Sequence, residues 1–149
     1  MKLARNHNRT RLGVAAGLVA LSATVLGAAG ASAAGTAAPQ SRQIGSSVLG
    51  SDYRITLTAL RSADDQYAAS VRLQVHTQTG GAWKETDRVT VGDVDGWFWY
   101  PLTGSGAVCE FSTASTEPAP LTVSLLLTPS LGCSDPTHYV VKEGRVFAG

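Results

Sequence analysis

The chain has 149 residues, 44% of them hydrophobic and only 15% charged, with a formal net charge of +1 and two cysteines. Its basic residues are too few and too scattered for the electrostatic footprint that nucleic acid or an anionic membrane surface calls for. Two cysteines with no His or acid cluster at ligand spacing make neither a zinc site nor a CxxC redox pair, and no cofactor motif is present.

The first thirty-odd residues are laid out as a secretory signal. Lys2, Arg5, Arg9 and Arg11 form a basic start without an acid, and the stretch from Leu12 to Gly30 is Ala, Leu, Val and Gly broken only by Ser22 and Thr24. Ala31-Ser32-Ala33 supplies the small-x-small exit, so cleavage is expected after Ala33, with Ala34 the next choice. A retained membrane anchor is the competing reading, because the apolar run approaches the roughly 20 residues that span a bilayer. Ala and Gly keep its hydrophobicity modest, however, and the exit is that of a cleaved signal. No cysteine lies near the exit to carry a lipid, and Arg9-Thr10-Arg11 is not a paired arginine, so the general secretory route is expected.

Cleavage would remove four basic residues and no acid. Eight Lys and Arg then stand against eleven acids, a net charge of −3. The predicted product is a secreted, weakly acidic, single domain with no membrane or nucleic-acid partner. In an oxidising exterior, Cys109 and Cys133 read as one disulfide.

Residues 34–50 are mostly Ala, Gly, Ser, Thr and Gln with one Pro, lack any run of apolar residues long enough to be buried, and read as a flexible leader. An edge strand over Ile44 to Leu49 is the alternative. The domain proper is expected over 51–149. Period-two alternation begins at Tyr53, with Ile55, Leu57 and Ala59 on one side and Arg54, Thr56 and Thr58 on the other. After a hairpin loop from Ser62 to Gln66, it resumes with Tyr67, Ala69, Val71, Leu73 and Val75 against Ser70, Arg72, Gln74 and His76. Thr79-Gly80-Gly81 makes a second turn.

Trp83 to Val91 reads as a third strand whose polar middle suggests a solvated or edge position. Gly92 to Gly96 is the next turn, and Trp97 to Leu102 the strand after it. Val108 to Ser112 follows a glycine turn, and a Pro-rich connector leads to Leu121, Val123, Leu125 and Leu127. A closing hairpin is expected over Tyr139 to Val141 and Arg145 to Phe147, turned at Glu143-Gly144. Seven or eight short strands with no helical period point to an all-β fold, an antiparallel sandwich of immunoglobulin-like layout or a small barrel.

Trp97-Phe98-Trp99-Tyr100 is the stretch richest in information. On a strand, Trp97 and Trp99 share one face and Phe98 and Tyr100 the other. A sandwich buries one face of each sheet, so one pair stands outside the core as a candidate ligand-binding surface, extended by Trp83 if its strand is a neighbour. The competing reading packs a Trp on the disulfide and covers the other pair with the connector from Thr113 to Pro120 or with the leader. Asp93-Val94-Asp95-Gly96 resembles the start of a calcium loop but lacks the later ligands, and reads as an Asp-Gly turn. His76 and His138 are the histidines of the domain, with no Gly-x-Ser-x-Gly elbow.

In its Ala-rich signal, its Ala-Ser-Ala exit and its compact β tail, the chain resembles small secreted proteins of high-GC Gram-positive bacteria. The secreted protease inhibitors of that group use two disulfides and a cysteine-bearing reactive loop, where this chain has one cysteine pair. The leading expectation is a non-catalytic module binding a glycan, a cell-wall polymer or a protein through the aromatic strand. A secreted inhibitor presenting Gly104 to Gly106 or the Ser112 to Pro120 connector is the alternative, and a small hydrolase using His76 or His138 comes third.

Overall fold

The structure, a computed structural model, describes residues 40–149. The signal expected over 1–33, and the first part of the leader, lie outside the described residues.

Among the described residues, ten strands form two antiparallel sheets. The first carries β1 (Ser41–Leu49), β2 (Tyr53–Arg61), β3 (Ala68–Thr79) and β4 (Ala82–Val91) in that order, with the two-residue β5 (Trp97–Phe98) continuing the β4 side of β3. A short helix, α1 (Trp99–Thr103), leads to the second sheet. That sheet holds β6 (Val108–Thr113), β7 (Ala119–Thr128), β9 (Thr137–Lys142) and β10 (Arg145–Ala148), with β8 (Gly132–Cys133) paired to the far end of β7. The architecture is the expected antiparallel sandwich. Its strands run as two successive meanders, whereas an immunoglobulin layout exchanges strands between the sheets.

Alternation produces the core. Ile55, Leu57 and Ala59 of β2 and Ala69, Val71, Leu73 and Val75 of β3 are fully buried, and they face Leu121, Val123 and Leu125 of β7 and Val141 of β9. Each large aliphatic side chain removed from water in this layer contributes about 1.5–3 kcal/mol.

The leader reading needs correction, because Ser41–Leu49 is not a loose segment but the edge strand β1, paired along its length with β2. Its inward positions opposite Leu57 and Ile55 are Gly45 and Ser47, so the strand carries almost no apolar signal. The space over Gly45 is filled from elsewhere: a Cβ there would stand 3.4 Å from the Cδ1 atoms of both Leu57 and Phe111.

Neither edge of the sandwich is left bare. On one side Ser47 Oγ and Thr113 Oγ1 are 3.0 Å apart, joining β1 to β6. On the other, the Val146 amide donates to Asp87 Oδ2 at 2.9 Å and Thr86 Oγ1 donates to the Gly144 carbonyl at 2.8 Å, joining β4 to the β9–β10 hairpin. β4 stands at the edge of the first sheet, as its polar middle suggests, and Asp87 within that middle also serves as a bracket between the sheets. Gly144 has φ +73°, and a Cβ on it would come within 3.0 Å of Thr77 Cγ2, so only glycine lets this turn seat against the first sheet.

Cys109 and Cys133 form the expected disulfide, with Cα atoms 6.2 Å apart. It ties β6 to β8 at the open end of the β6–β7 hairpin. Both cysteines are exposed, so the bond lies on the surface and is not the core cystine on which a Trp packs in immunoglobulin domains.

Candidate functional site

Trp97 to Leu102 does not continue as a strand. The ladder stops after Phe98, and Trp99 opens a five-residue helix. Pro101 explains the change, since it has no N–H for a ladder but fits the first turn of a helix, where that N–H has no intrahelical partner. The split between faces survives the change of backbone. Trp97 points inward from β5, Trp99 and Leu102 lie on the buried side of the helix, and Phe98 and Tyr100 point out.

Trp97 and Trp99 are each 8% exposed, whereas Phe98 is 46% and Tyr100 57% exposed. The two tryptophans of the expected binding strand are therefore core residues. Trp97 Nε1 donates to the Val91 carbonyl at 2.7 Å, and its ring lies over Gly92, where a Cβ would be 3.3 Å from Cζ2. The connector that was to cover the other pair lies at the opposite end of β2, where Glu117 accepts from the Tyr53 hydroxyl at 2.8 Å.

The outward pair has two companions that the sequence reading did not assign to it. Tyr67, placed by alternation on the buried side, precedes β3 and is 59% exposed. Its ring centroid is 6.1 Å from that of Tyr100, at an interplanar angle of 51°. An Asx turn sets it there, the Tyr67 amide donating to Asp65 Oδ1 at 2.8 Å, and the Trp99 amide donates to the Tyr67 carbonyl at 2.8 Å. Asp65 two residues before an aromatic was the available signal.

Arg61 is the second companion. Its guanidinium carbon is 5.8 Å from the Trp99 ring centroid and 5.6 Å from that of Tyr100. Nε donates to the Gln66 carbonyl at 2.8 Å, Nη1 to Gln40 Oε1 at 2.9 Å and Nη2 to the Tyr100 hydroxyl at 3.2 Å. Three contacts from three nitrogens fix the cation over the end of the core, with exposed rings beside it.

Trp83 is not part of this surface. It sits at the start of β4, eight residues and about 26 Å from Val91, which receives the Trp97 bond. It is half-buried, and the Arg54 guanidinium carbon stands 5.1 Å from its ring centroid.

The remaining candidates separate cleanly. The Asp95 carboxylate accepts from Ser62 Oγ and Ser70 Oγ, both at 3.0 Å, and its amide donates to Ser70 Oγ at 2.8 Å. Those contacts hold the Asp-Gly turn with Asp95 at φ 56°. Among the described residues no group of three or more His, Cys, Asp or Glu is placed to hold a metal ion. On β3, His76 Nδ1 lies 3.2 Å from the carbonyl of Arg54 of β2, and on β9, His138 Nδ1 lies 3.1 Å from Oγ1 of Thr122 of β7. The histidines thus stand on different sheets, each partnered by something other than a carboxylate.

With this geometry established, comparison adds nothing to it. No protein family, curated protein or solved structure matches the chain.

The end of the sandwich opposite the aromatic cluster is polar. Tyr53 is held by Glu117, whose other oxygen accepts from the Glu143 amide at 3.0 Å. Burial, followed by that hydrogen bond, raises the Tyr53 hydroxyl above its ordinary value of 10.0, and burial alone raises Tyr139. Both phenols stay neutral where a solvated tyrosine ionises.

Proposed function

We propose that this chain is exported and that its sandwich is a non-catalytic binding module, docking a protein partner through Arg61, Tyr67, Phe98 and Tyr100. The observation that carries this reading is the paired Tyr67 and Tyr100 rings, 59% and 57% exposed, with Arg61 immobilised against Tyr100 and with Phe98, 46% exposed, two residues before it. Tyr and Arg are the residue types that concentrate binding energy at protein interfaces, because they cover apolar area at low entropic cost and keep a polar tip. The tilt between the Tyr67 and Tyr100 rings suits an irregular protein surface better than the flat stacking that a sugar chain needs. The signal layout of residues 1–33 supports export.

A photo-cross-linking phenylalanine analogue at position 98, introduced into the full-length chain in its producing cells, tests the reading. A discrete adduct with a second protein is expected, and none when the analogue replaces Leu131, which is 68% exposed in the turn between β7 and β8. The same adduct from both positions, or a product joined only to the chain's own residues, would overturn it.

A further inference from the structure

The outward side of the first sheet carries a second, chemically different feature. Ser46 of β1, Arg54, Thr56 and Thr58 of β2, and Gln74 and His76 of β3 line a depression of about 490 Å³. They meet there because the register sets Ser46 opposite Thr56, Thr56 opposite Gln74 and Arg54 opposite His76, and residues opposite one another share a face.

Thr56 is the floor. It points away from the core, yet it is only 6% exposed, because the side chains around it rise above it. Its hydroxyl makes no hydrogen bond among the described residues, whereas every fully buried side-chain polar atom there has a partner. The Thr56 hydroxyl therefore opens into the depression and is free to meet a ligand. Around it the polar groups are already oriented. Thr58 Oγ1 donates to Gln74 Oε1 at 2.8 Å, and Gln74 Nε2 donates to Glu85 Oε2 at 2.7 Å. His76, its Nδ1 on the Arg54 carbonyl, is left with Nε2 as an acceptor when the ring is neutral.

The charge is equally specific. Arg54 is the charged residue of the lining and forms no ion pair or side-chain hydrogen bond among the described residues. Glu85, the carboxylate borne by the outward-facing strand residues of this sheet, is engaged by Arg88 and by Gln74. A guanidinium that lies against the Trp83 ring but has no anionic partner among the described residues, a free hydroxyl, an imidazole acceptor and fixed amides, with no competing carboxylate in the lining, match a polyhydroxylated ligand that carries a carboxylate.

We infer that this depression is a saccharide site, selective for a carboxylate-bearing sugar polymer of the uronate type. Arg54 pairs with the carboxylate, while Thr56, His76 and Gln74 meet ring hydroxyls. The site is separate from the aromatic surface and does not depend on the protein-docking reading. A single unpaired Arg among hydroxyls and amides is unlike the clustered basic residues that nucleic acid requires.

Calorimetric titration of the protein, purified as it accumulates from the full-length chain, with an oligogalacturonate tests the inference. The probes set beside it are neutral dextran, poly(glycerol phosphate) and a single-stranded DNA oligonucleotide. Binding of the oligogalacturonate is expected, weakening with added salt. Arg54→Gln should reduce its affinity about tenfold and Thr56→Val about fivefold, while Leu131→Ser, in the turn between β7 and β8, leaves it unchanged. Near-UV circular dichroism reports whether each variant is folded. In the wild-type protein, the backbone amides of Thr56, Gln74 and His76 should move during an NMR titration, which keeps the test independent of any variant. Failure of the oligogalacturonate to bind, equal affinity for any of the other three probes, full affinity in Arg54→Gln, or amide shifts confined to other strands would each overturn the assignment.

Discussion

The two ends of β2 lie about 26 Å apart and close the sandwich by opposite means. At the Tyr53 end a polar bracket does it: Glu117 uses both carboxylate oxygens, one on the Tyr53 hydroxyl and one on the Glu143 amide. At the Arg61 end the closure is aromatic, with Trp97 and Trp99 inside and Phe98, Tyr67 and Tyr100 left outside. The first end is complete in itself. The second buries two of its five rings and leaves three exposed, so that, on the proposed reading, stability and recognition are divided between neighbouring rings.

That division is open to test, beginning with the largest effect. Trp97→Ala should destabilise the domain by about 3–5 kcal/mol in chemical denaturation, because it empties the space over Gly92 and removes the Val91 bond. If the loss is below about 1 kcal/mol, Trp97 is no part of the core. Glu117→Ala should cost about 1 kcal/mol, since the bracket is exposed although doubly bonded.

The same end has a pH signature. A phenol whose pKa is raised in the folded state stays protonated after the unfolded chain has begun to lose its proton, so its contribution is complete below pH 10.0 and lost as pH rises through the folded value. The melting temperature should therefore fall above that pH, and Tyr53→Phe should make the fall shallower. A slope unchanged in Tyr53→Phe would assign the alkaline loss to other groups. The smallest effect belongs to Phe98→Ser, expected within about 0.5 kcal/mol of wild type while abolishing partner cross-linking from a probe placed at Tyr100.

What could be read from the sequence follows the same physics. β2, β3 and β7 announce themselves because their inward positions are Ile55, Leu57, Val71, Leu73, Leu121 and Val123, a period-two signal strong enough to survive any turn. β1 does not, since Gly45 and Ser47 occupy its inward positions and Leu57 and Phe111 fill the space. The pairing of Trp97 with Trp99 and of Phe98 with Tyr100 is legible from alternation, but not which pair faces outward, and a helical turn stands where a strand is expected; Pro101 is the marker of that turn. Trp83 could not be placed, because its distance from Trp97 depends on strand order. Thr56, Gln74 and His76 were legible as outward polar positions, but that they face one another is a matter of register, which one sequence does not contain.

The succession of two meanders also bears on how the chain reaches this state. Every long ladder joins strands that follow one another along the chain, apart from the two-residue β8 between β7 and β9. Each sheet can then zip by local hairpins at small loop-closure cost, leaving the face-to-face docking as the step that joins distant segments. The disulfide lies wholly within the second meander. Its closure therefore needs only residues of that meander, so the covalent restraint acts on the second sheet independently of β1 to β4.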